Sequence, residues 1–279
     1  MSTRVTVTMV FSSLTLLGAC TSSLESFEYK DGSRYFAHYA PEGLEEGAPL
    51  VFFLHGYMGY ALEYQRQFGL DALADEHGFG VVYPQGTWDD NWVPHWNADL
   101  TISDVDDIGY LVALAESLQQ THGYEPERTY TSGISNGGFM SYTLACRAPN
   151  TFHAMGSIIG TMSKRTWEEC APEKPISVLQ ISGANDTVVP IDGSMDEEGG
   201  WGGAPPITDI VTFWSEQNQC TNIDTQTQSG NITSVHHTNC LNDNVVEYYE
   251  IDDMGHEIPS LDRFQMDAAE VLWNFLSKQ

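Results

Sequence analysis

The chain has 279 residues and a mass of 31.0 kDa, which suits one large α/β domain or two small ones. Hydrophobic residues make up 41% and aromatics 11%, so a sizeable core can form and global disorder is excluded. With 39 acidic against 11 basic residues the net charge is -28, which repels nucleic acid and anionic membranes and argues against either as a partner.

The N-terminus does not read as part of the fold. Arg4 is the only charge before Glu25, and residues 5–17 are mostly apolar but too few for an ordinary membrane span. Residues 1–19 are expected to be an export signal. Leu17-Gly18-Ala19-Cys20 resembles a bacterial lipoprotein box, in which Cys20 would be lipidated. The alternative is an ordinary signal peptide cleaved nearby. In either case the protein is exported, to the cell envelope or beyond it. Residues 20–28 would then be a tether and 29–279 the folded domain.

Residues 48–54 (APLVFFL) form a continuous apolar run ending in His55-Gly56, the pattern of a buried strand. Residues 61–77 have helical spacing up to Gly78. Residues 79–83 (FGVVY) are a second buried strand, stopped by Pro84. Residues 104–122 place Val105, Ile108, Leu111, Leu114 and Leu118 at helical intervals. The acidic first turn, with Asp106 and Asp107, suits a helix dipole better than acid catalysis. Residues 128–133 read as a strand and 136–146 as a helix. Further strands are expected at 154–159, 176–181 and 245–251, and helices at 207–218 and 261–276. Strands alternating with helices predict a mostly parallel sheet covered on both faces, with reactive groups on loops beyond the strands' carboxyl ends.

Between the strand at 128–133 and the helix at 136–146 lies Gly133-Ile134-Ser135-Asn136-Gly137. Gly-x-Ser-x-Gly is a weak pattern alone. Set on a strand-to-helix turn, it presents the serine hydroxyl at the sheet edge, beside the main-chain N–H of Asn136. A serine needs a base within hydrogen-bond reach, and the base needs an orienting carboxylate. Asp186 lies on the loop after the strand at 176–181, and His256 on the loop after the strand at 245–251, so both reach the same edge. Asp192, Asp196, Asp252 and Asp253 are less well placed. His236 and His237 fall in a polar excursion between Cys220 and Cys240 and are expected at the surface. Acyl transfer also needs donors for the developing oxyanion. The main-chain N–H groups of Tyr57 and Asn136 are the expected pair, with His55 bracing the loop.

Without Cys20 there remain Cys146, Cys170, Cys220 and Cys240, an even number suited to two disulfides in an exported chain. Of three pairings, Cys146–Cys170 and Cys220–Cys240 close the shortest loops and are expected. No close Cys/His spacing supports a zinc site, and no metal is expected.

The motifs FFLHGYMG, VVYPQG, VDDIGYLVAL, GISNGGFMSYTLAC, SGANDTVVP, FWSEQNQC and GHEIP follow one another in family order. Through them, residues 29–279 resemble the secreted polyhydroxybutyrate-depolymerase-like esterases, relatives of feruloyl and acetylxylan esterases. The resemblance implies an α/β-hydrolase fold in a single domain, no cofactor, an ester substrate, Ser135, Asp186 and His256 as catalytic residues, and the two disulfides above. Two departures stand out. Ser182-Gly183 replaces the family's His-Gly, and Ile258-Pro259 replaces Trp-Pro, which alters a substrate subsite. Trp88, Trp92, Trp96 and Trp201, with Ile258, are candidates to line the substrate groove, although buried tryptophans could equally brace the loops. A hydroxyalkanoate polyester or its oligomers is the leading substrate; a feruloyl or acetyl ester on plant polysaccharide is the alternative. A non-catalytic binding protein on the same scaffold is the reading from another class.

Overall fold

The computed structural model describes residues 23–30, 32–228 and 231–279. The expected signal segment and Cys20 lie outside the described residues. No helix among the described residues is long and apolar enough to cross a membrane.

Two strands precede the expected first one: β1 (Glu25–Tyr29) and β2 (Gly32–Tyr39). They are followed by β3 (Leu50–Leu54), α1 (Ala61–Gln67), α2 (Leu70–His77), β4 (Gly80–Gln85) and the short hairpin strands β5 (Thr87–Trp88) and β6 (Pro94–His95). Next come α3 (Asp107–His122), β7 (Thr129–Ile134), α4 (Asn136–Arg147), β8 (Ala154–Ile158), α5 (Lys164–Glu169), β9 (Ser177–Gly183) and α6 (Ile207–Gln217). The chain closes with β10 (Asn222–Gln228), β11 (Ile232–Thr238), β12 (Val246–Ile251), α7 (Leu261–Phe264) and α8 (Ala268–Leu276).

Ten strands form one sheet in the order β1-β2-β4-β3-β7-β8-β9-β12-β11-β10. The six central strands, β4 to β12 in that order, are parallel, and antiparallel strands extend both edges. This is the predicted α/β architecture. Strand β3 shows how it is covered. Val51 and Phe53 point into a core with Phe68, Leu272 and Trp273, whereas Leu50, Phe52 and Leu54 point into a second core with Tyr110, Leu114 and Phe139. Such burial contributes about 2–3 kcal/mol for each large apolar side chain. A third cluster packs Ile207, Ile210 and Trp214 of α6 against Tyr142, Val178 and Tyr248.

Several expectations are corrected. The tether assigned to residues 20–28 includes part of β1, which pairs with β2 from Glu25↔Phe36 to Tyr29↔Gly32. Phe27 and Tyr29 lie against Tyr110, so alternate side chains of this short, otherwise polar segment reach the core. The excursion between Cys220 and Cys240 is the β10–β11 hairpin, anchored where Ile232 pairs with Ile251. His236 and His237 are therefore half-buried sheet residues, and the His236 ring stands edge-on to Tyr249. The helix expected at 61–77 breaks at Gly69, whose φ of 92° needs glycine. That at 261–276 breaks at Gln265, and Asp267 caps the second piece by accepting from the N–H groups of Ala269 and Glu270.

At the start of α3, Asp106 is an N-cap accepting from Gly109 N–H, as a helix-terminus role predicts. Asp107 does more: it is buried, 2.6 Å from Arg34, and it accepts from Asn97 N–H at 2.7 Å. Disulfides join Cys146 to Cys170 and Cys220 to Cys240. With sequence separations of 24 and 20, each removes about 3 kcal/mol of chain entropy from the unfolded state on the loop-closure account.

Candidate active site

Ser135 occupies a turn that only close packing can hold. Its φ of 51° and ψ of -117° are unfavourable for a residue with a Cβ. Glycines on either side make the turn possible: a Cβ on Gly133 would come within 2.5 Å of Gly137 main chain, and one on Gly137 within 2.2 Å of Leu54 O. The Ser135 N–H is tied to Ile158 O at 2.9 Å, which anchors the turn to β8.

Three loops from the sheet's carboxyl edge converge on this serine. His256 Nε2 lies 3.0 Å from Ser135 Oγ, and His256 Nδ1 lies 2.8 Å from Asp186 Oδ2. The other Asp186 oxygen accepts from the N–H groups of Val188 and Val189, both at 2.8 Å. The carboxylate is thus almost wholly buried with its acceptor sites satisfied, while the imidazole keeps 23% of its side chain exposed. The acid and histidine loops are held to each other directly. Ala184 N–H donates to Ile251 O and Asn185 N–H to Met254 O, both at 3.0 Å. In this arrangement Nδ1–H donates to the carboxylate and Nε2 is free to accept the serine proton.

The turn after β3 supplies the opposite wall. Met58 N–H donates to Pro94 O and Gly59 N–H to Gly56 O, both at 2.9 Å. Tyr57 lies between Gly56 and Met58 on this turn and lines the cavity that holds Ser135. Asn136 is the first residue of α4, directly after Ser135. The Asn136 side chain clamps the main chain of Trp96, accepting from its N–H at 2.7 Å and donating to its carbonyl at 3.0 Å. Asn136 thus joins the serine turn to the 86–98 loop, a role its place in the motif did not reveal.

His55 is fully buried. Its Nδ1–H donates to Gly56 O, and its Nε2 accepts from Gly86 N–H at 2.9 Å. A proton on Nε2 would face that N–H, and burial lowers the imidazole pKa to about 4. His55 is a neutral brace. Because the unfolded chain binds this proton near pH 6.5, the stability held by neutral His55 is complete above that pH. It is lost as pH falls from about 6.5 towards 4, by about 3 kcal/mol. Urea unfolding at pH 7 and 4.5 is expected to show a smaller loss in His55→Gln than in the native chain; equal losses would refute this.

The serine opens into a cavity of 590 Å³ lined by Phe139, Val188, Val189, Met195 and Trp201, together with Tyr57, Met58 and His256. Trp201 stands edge-on to both Tyr57 and Phe139, at centroid distances of 5.2 and 5.9 Å. Of the aromatic candidates, Trp201 is the one that lines this cavity. Trp96 is corrected to a brace: it is wholly buried, with its indole N–H donating to His55 O at 3.0 Å. Trp88 and Trp92 stand exposed on the β5–β6 hairpin and line neither this cavity nor its neighbour. Ile258 faces the neighbouring cavity of 440 Å³, which shares Tyr57 and Met58 with the first. Phe139 and Val188 lie inside the motifs GISNGGFMSYTLAC and SGANDTVVP and Met195 on the loop before α6, but the direction in which an apolar side chain faces is set by packing that the sequence does not display. No cluster of His, Cys, Asp and Glu suited to a metal occurs among the described residues.

The fold and this constellation are those of the α/β-hydrolase esterases, which as a class are serine carboxylic-ester hydrolases. The chain belongs to the Esterase PHB depolymerase family, whose sequence profile matches residues 34–216. It is 25% identical to poly(3-hydroxyalkanoate) depolymerase C of Paucimonas lemoignei over 289 aligned positions, covering 92% of this chain and 68% of that protein. It is 24% identical to feruloyl esterase B of Piromyces equi over 221 positions, covering 76% of this chain and 40% of that one. The chain spans less than half the length of several curated relatives that it matches. Among solved structures, an acetyl xylan esterase from Aspergillus awamori superposes with a TM-score of 0.68 at 15% identity, covering 92% of this chain and all (100%) of that one.

Proposed function

We propose that the chain hydrolyses carboxylic esters through an acyl-enzyme on Ser135, and that its substrate is a hydroxyalkanoate polyester or the oligomers released from one. The observation that carries the reading is the continuous relay from Asp186 through His256 to Ser135, at 2.8 and 3.0 Å, at the mouth of an apolar cavity.

The steps follow from the positions. Ser135 Oγ attacks the ester carbonyl carbon while His256 Nε2 takes its proton, and Asp186 stabilises the imidazolium. The carbonyl oxygen becomes an oxyanion, received by the N–H groups of Tyr57 and Asn136. Collapse of the tetrahedral intermediate breaks the carbon–oxygen bond, and His256 hands its proton to the departing alcohol. Water, deprotonated by the same imidazole, then releases the acid and restores the serine.

Apolar Val188, Val189, Pro190 and Met195 suit a short, branched hydroxyacyl unit, and the alignment with a poly(3-hydroxyalkanoate) depolymerase runs over 92% of this chain. The aromatic wall of Trp201, Phe139 and Tyr57 favours a second reading, a feruloyl ester. Parallel assays decide between them. 3-Hydroxybutyrate trimer is expected to be cleaved with a kcat/KM at least about tenfold above that for methyl ferulate, the discrimination of one well-fitted pocket. The reverse order would overturn the polyester reading.

A further inference from the structure

The apolar side chains that the fold leaves in water are not scattered. Among the described residues eleven large hydrophobic side chains are exposed, and six of them are Met58, Tyr60, Trp88, Trp92, Val188 and Ile258. Each lies on a segment that follows a parallel strand at the carboxyl edge: Met58 and Tyr60 after β3, Trp88 and Trp92 after β4, Val188 after β9 and Ile258 after β12. Ser135 follows β7 at the same edge. Five of the six share a cavity or a ring contact with another of them, and Trp92 stands on the same hairpin as Trp88. Met58 borders both cavities, Val188 lines the one holding Ser135, and Ile258 lines its neighbour. The Tyr60 ring meets Trp88 at a centroid distance of 6.2 Å.

This face is held in place against local preference. Met58 and Trp92 have φ of 65° and 62°, a left-handed conformation unfavourable for side chains of their size. Trp92 is 81% exposed, so its side chain gains little from packing within the chain. The hairpin tip is fixed by Asp89, whose carboxylate accepts from the N–H groups of Asn91 and Val93 and from the Tyr57 hydroxyl at 2.7 Å. Tyr57 also lines the serine's cavity, so the exposed tryptophans are fastened to the wall of the site itself.

We infer that Met58, Tyr60, Trp88 and Trp92 form an adsorption face that seats the enzyme on the surface of a solid, uncharged polyester, with the Ser135 cavity opening beside it. The inference rests on the hydroxyalkanoate reading of the site. Tyr60, Trp88 and Trp92 project from neighbouring loops outside both cavities, with Met58 at the rim the cavities share, which suits a flat solid rather than a single enclosed chain. They carry no charge. Asp89 is turned inward, and Asp90 is the charge left on the hairpin tip. A net charge of -28 opposes an anionic membrane or a second copy of the chain, but leaves a neutral polymer unopposed. Covering such a patch removes exposed apolar area from water, the term that drives adsorption.

The test separates surface from site. In a Ser135→Ala background, so that no turnover intervenes, the chain with and without Trp88→Ser/Trp92→Ser is mixed with poly(3-hydroxybutyrate) particles, and depletion from solution is measured. The pair of substitutions is expected to weaken adsorption roughly tenfold or more, in line with the area two aromatics bury. In the active chain the same pair should slow particle clearing to a similar degree, while leaving kcat/KM for soluble 3-hydroxybutyrate trimer within about twofold. Equal adsorption by both forms would overturn the proposal. So would an equal fall in trimer turnover, tryptophan-dependent binding to arabinoxylan in place of the particles, or a tryptophan-dependent dimer in sedimentation. Tryptophan-dependent adsorption by a chain that cleaves no trimer would uphold the surface and refute the substrate.

Discussion

Ser135→Ala is expected to lower kcat on a short p-nitrophenyl ester by roughly 10⁴-fold or more, with the melting temperature unchanged within a few degrees. On the proposed mechanism this hydroxyl forms the acyl bond; Thr187, Ser194 and Tyr57 also bring hydroxyls to the cavity, but the histidine bonds to Ser135. Removing the hydroxyl takes away one contact and leaves the turn's main-chain anchor to Ile158 in place, so folding should not suffer. The residual rate would come from binding and the N–H donors alone. Retention of full activity would show that chemistry occurs elsewhere.

The second large effect is on folding. Gly137→Ala would place a methyl group 2.2 Å from Leu54 O and 2.7 Å from His55 O, main-chain atoms of β3 and the turn that follows it. Neither can rotate away as a side-chain tip could. Either α4 must slide along β7 or the turn bearing Tyr57 must lift. A loss of about 3 kcal/mol or more is expected, a fall in melting temperature of about 10 °C for a domain of this size. Activity should fall as well, because the same shift moves both N–H donors. A melting temperature within about 2 °C of the native value, with activity intact, would show that the turn is looser than its geometry implies.

The parts of the fold legible in the sequence are those whose signals are local and strong. The buried run at 48–54 and the Gly-Ser-Gly turn carry their geometry in a few residues, since consecutive apolar positions and steric glycines leave few alternatives. Asp186 and His256 were legible through topology: each follows a strand, and a parallel sheet delivers such positions to one edge. The antiparallel margins were not legible. β1 and the β10–β11 hairpin are largely polar because they lie at the rim, where one face meets water, and a few apolar residues such as Phe27, Tyr29, Ile232 and Val235 mark the side that packs. Long-range partnerships were also hidden. Nothing in sequence links Asn136 to Trp96, 40 positions earlier, or Asp89 to Tyr57, 32 positions earlier. Trp96 shows the limit most plainly. Of three tryptophans in one loop, one is sealed beneath the site and two stand in solvent, and composition alone cannot sort them.

The central claim is that Ser135 carries the acyl group. The most direct measurement is a millisecond mix of the enzyme with p-nitrophenyl butyrate, quenched in acid, followed by mass analysis of the intact chain and its peptides. A butyryl adduct on the peptide containing Ser135, formed within the burst of p-nitrophenol and absent from Ser135→Ala, is the expected result. A burst with no adduct on Ser135, or an adduct on any other residue, would contradict the mechanism.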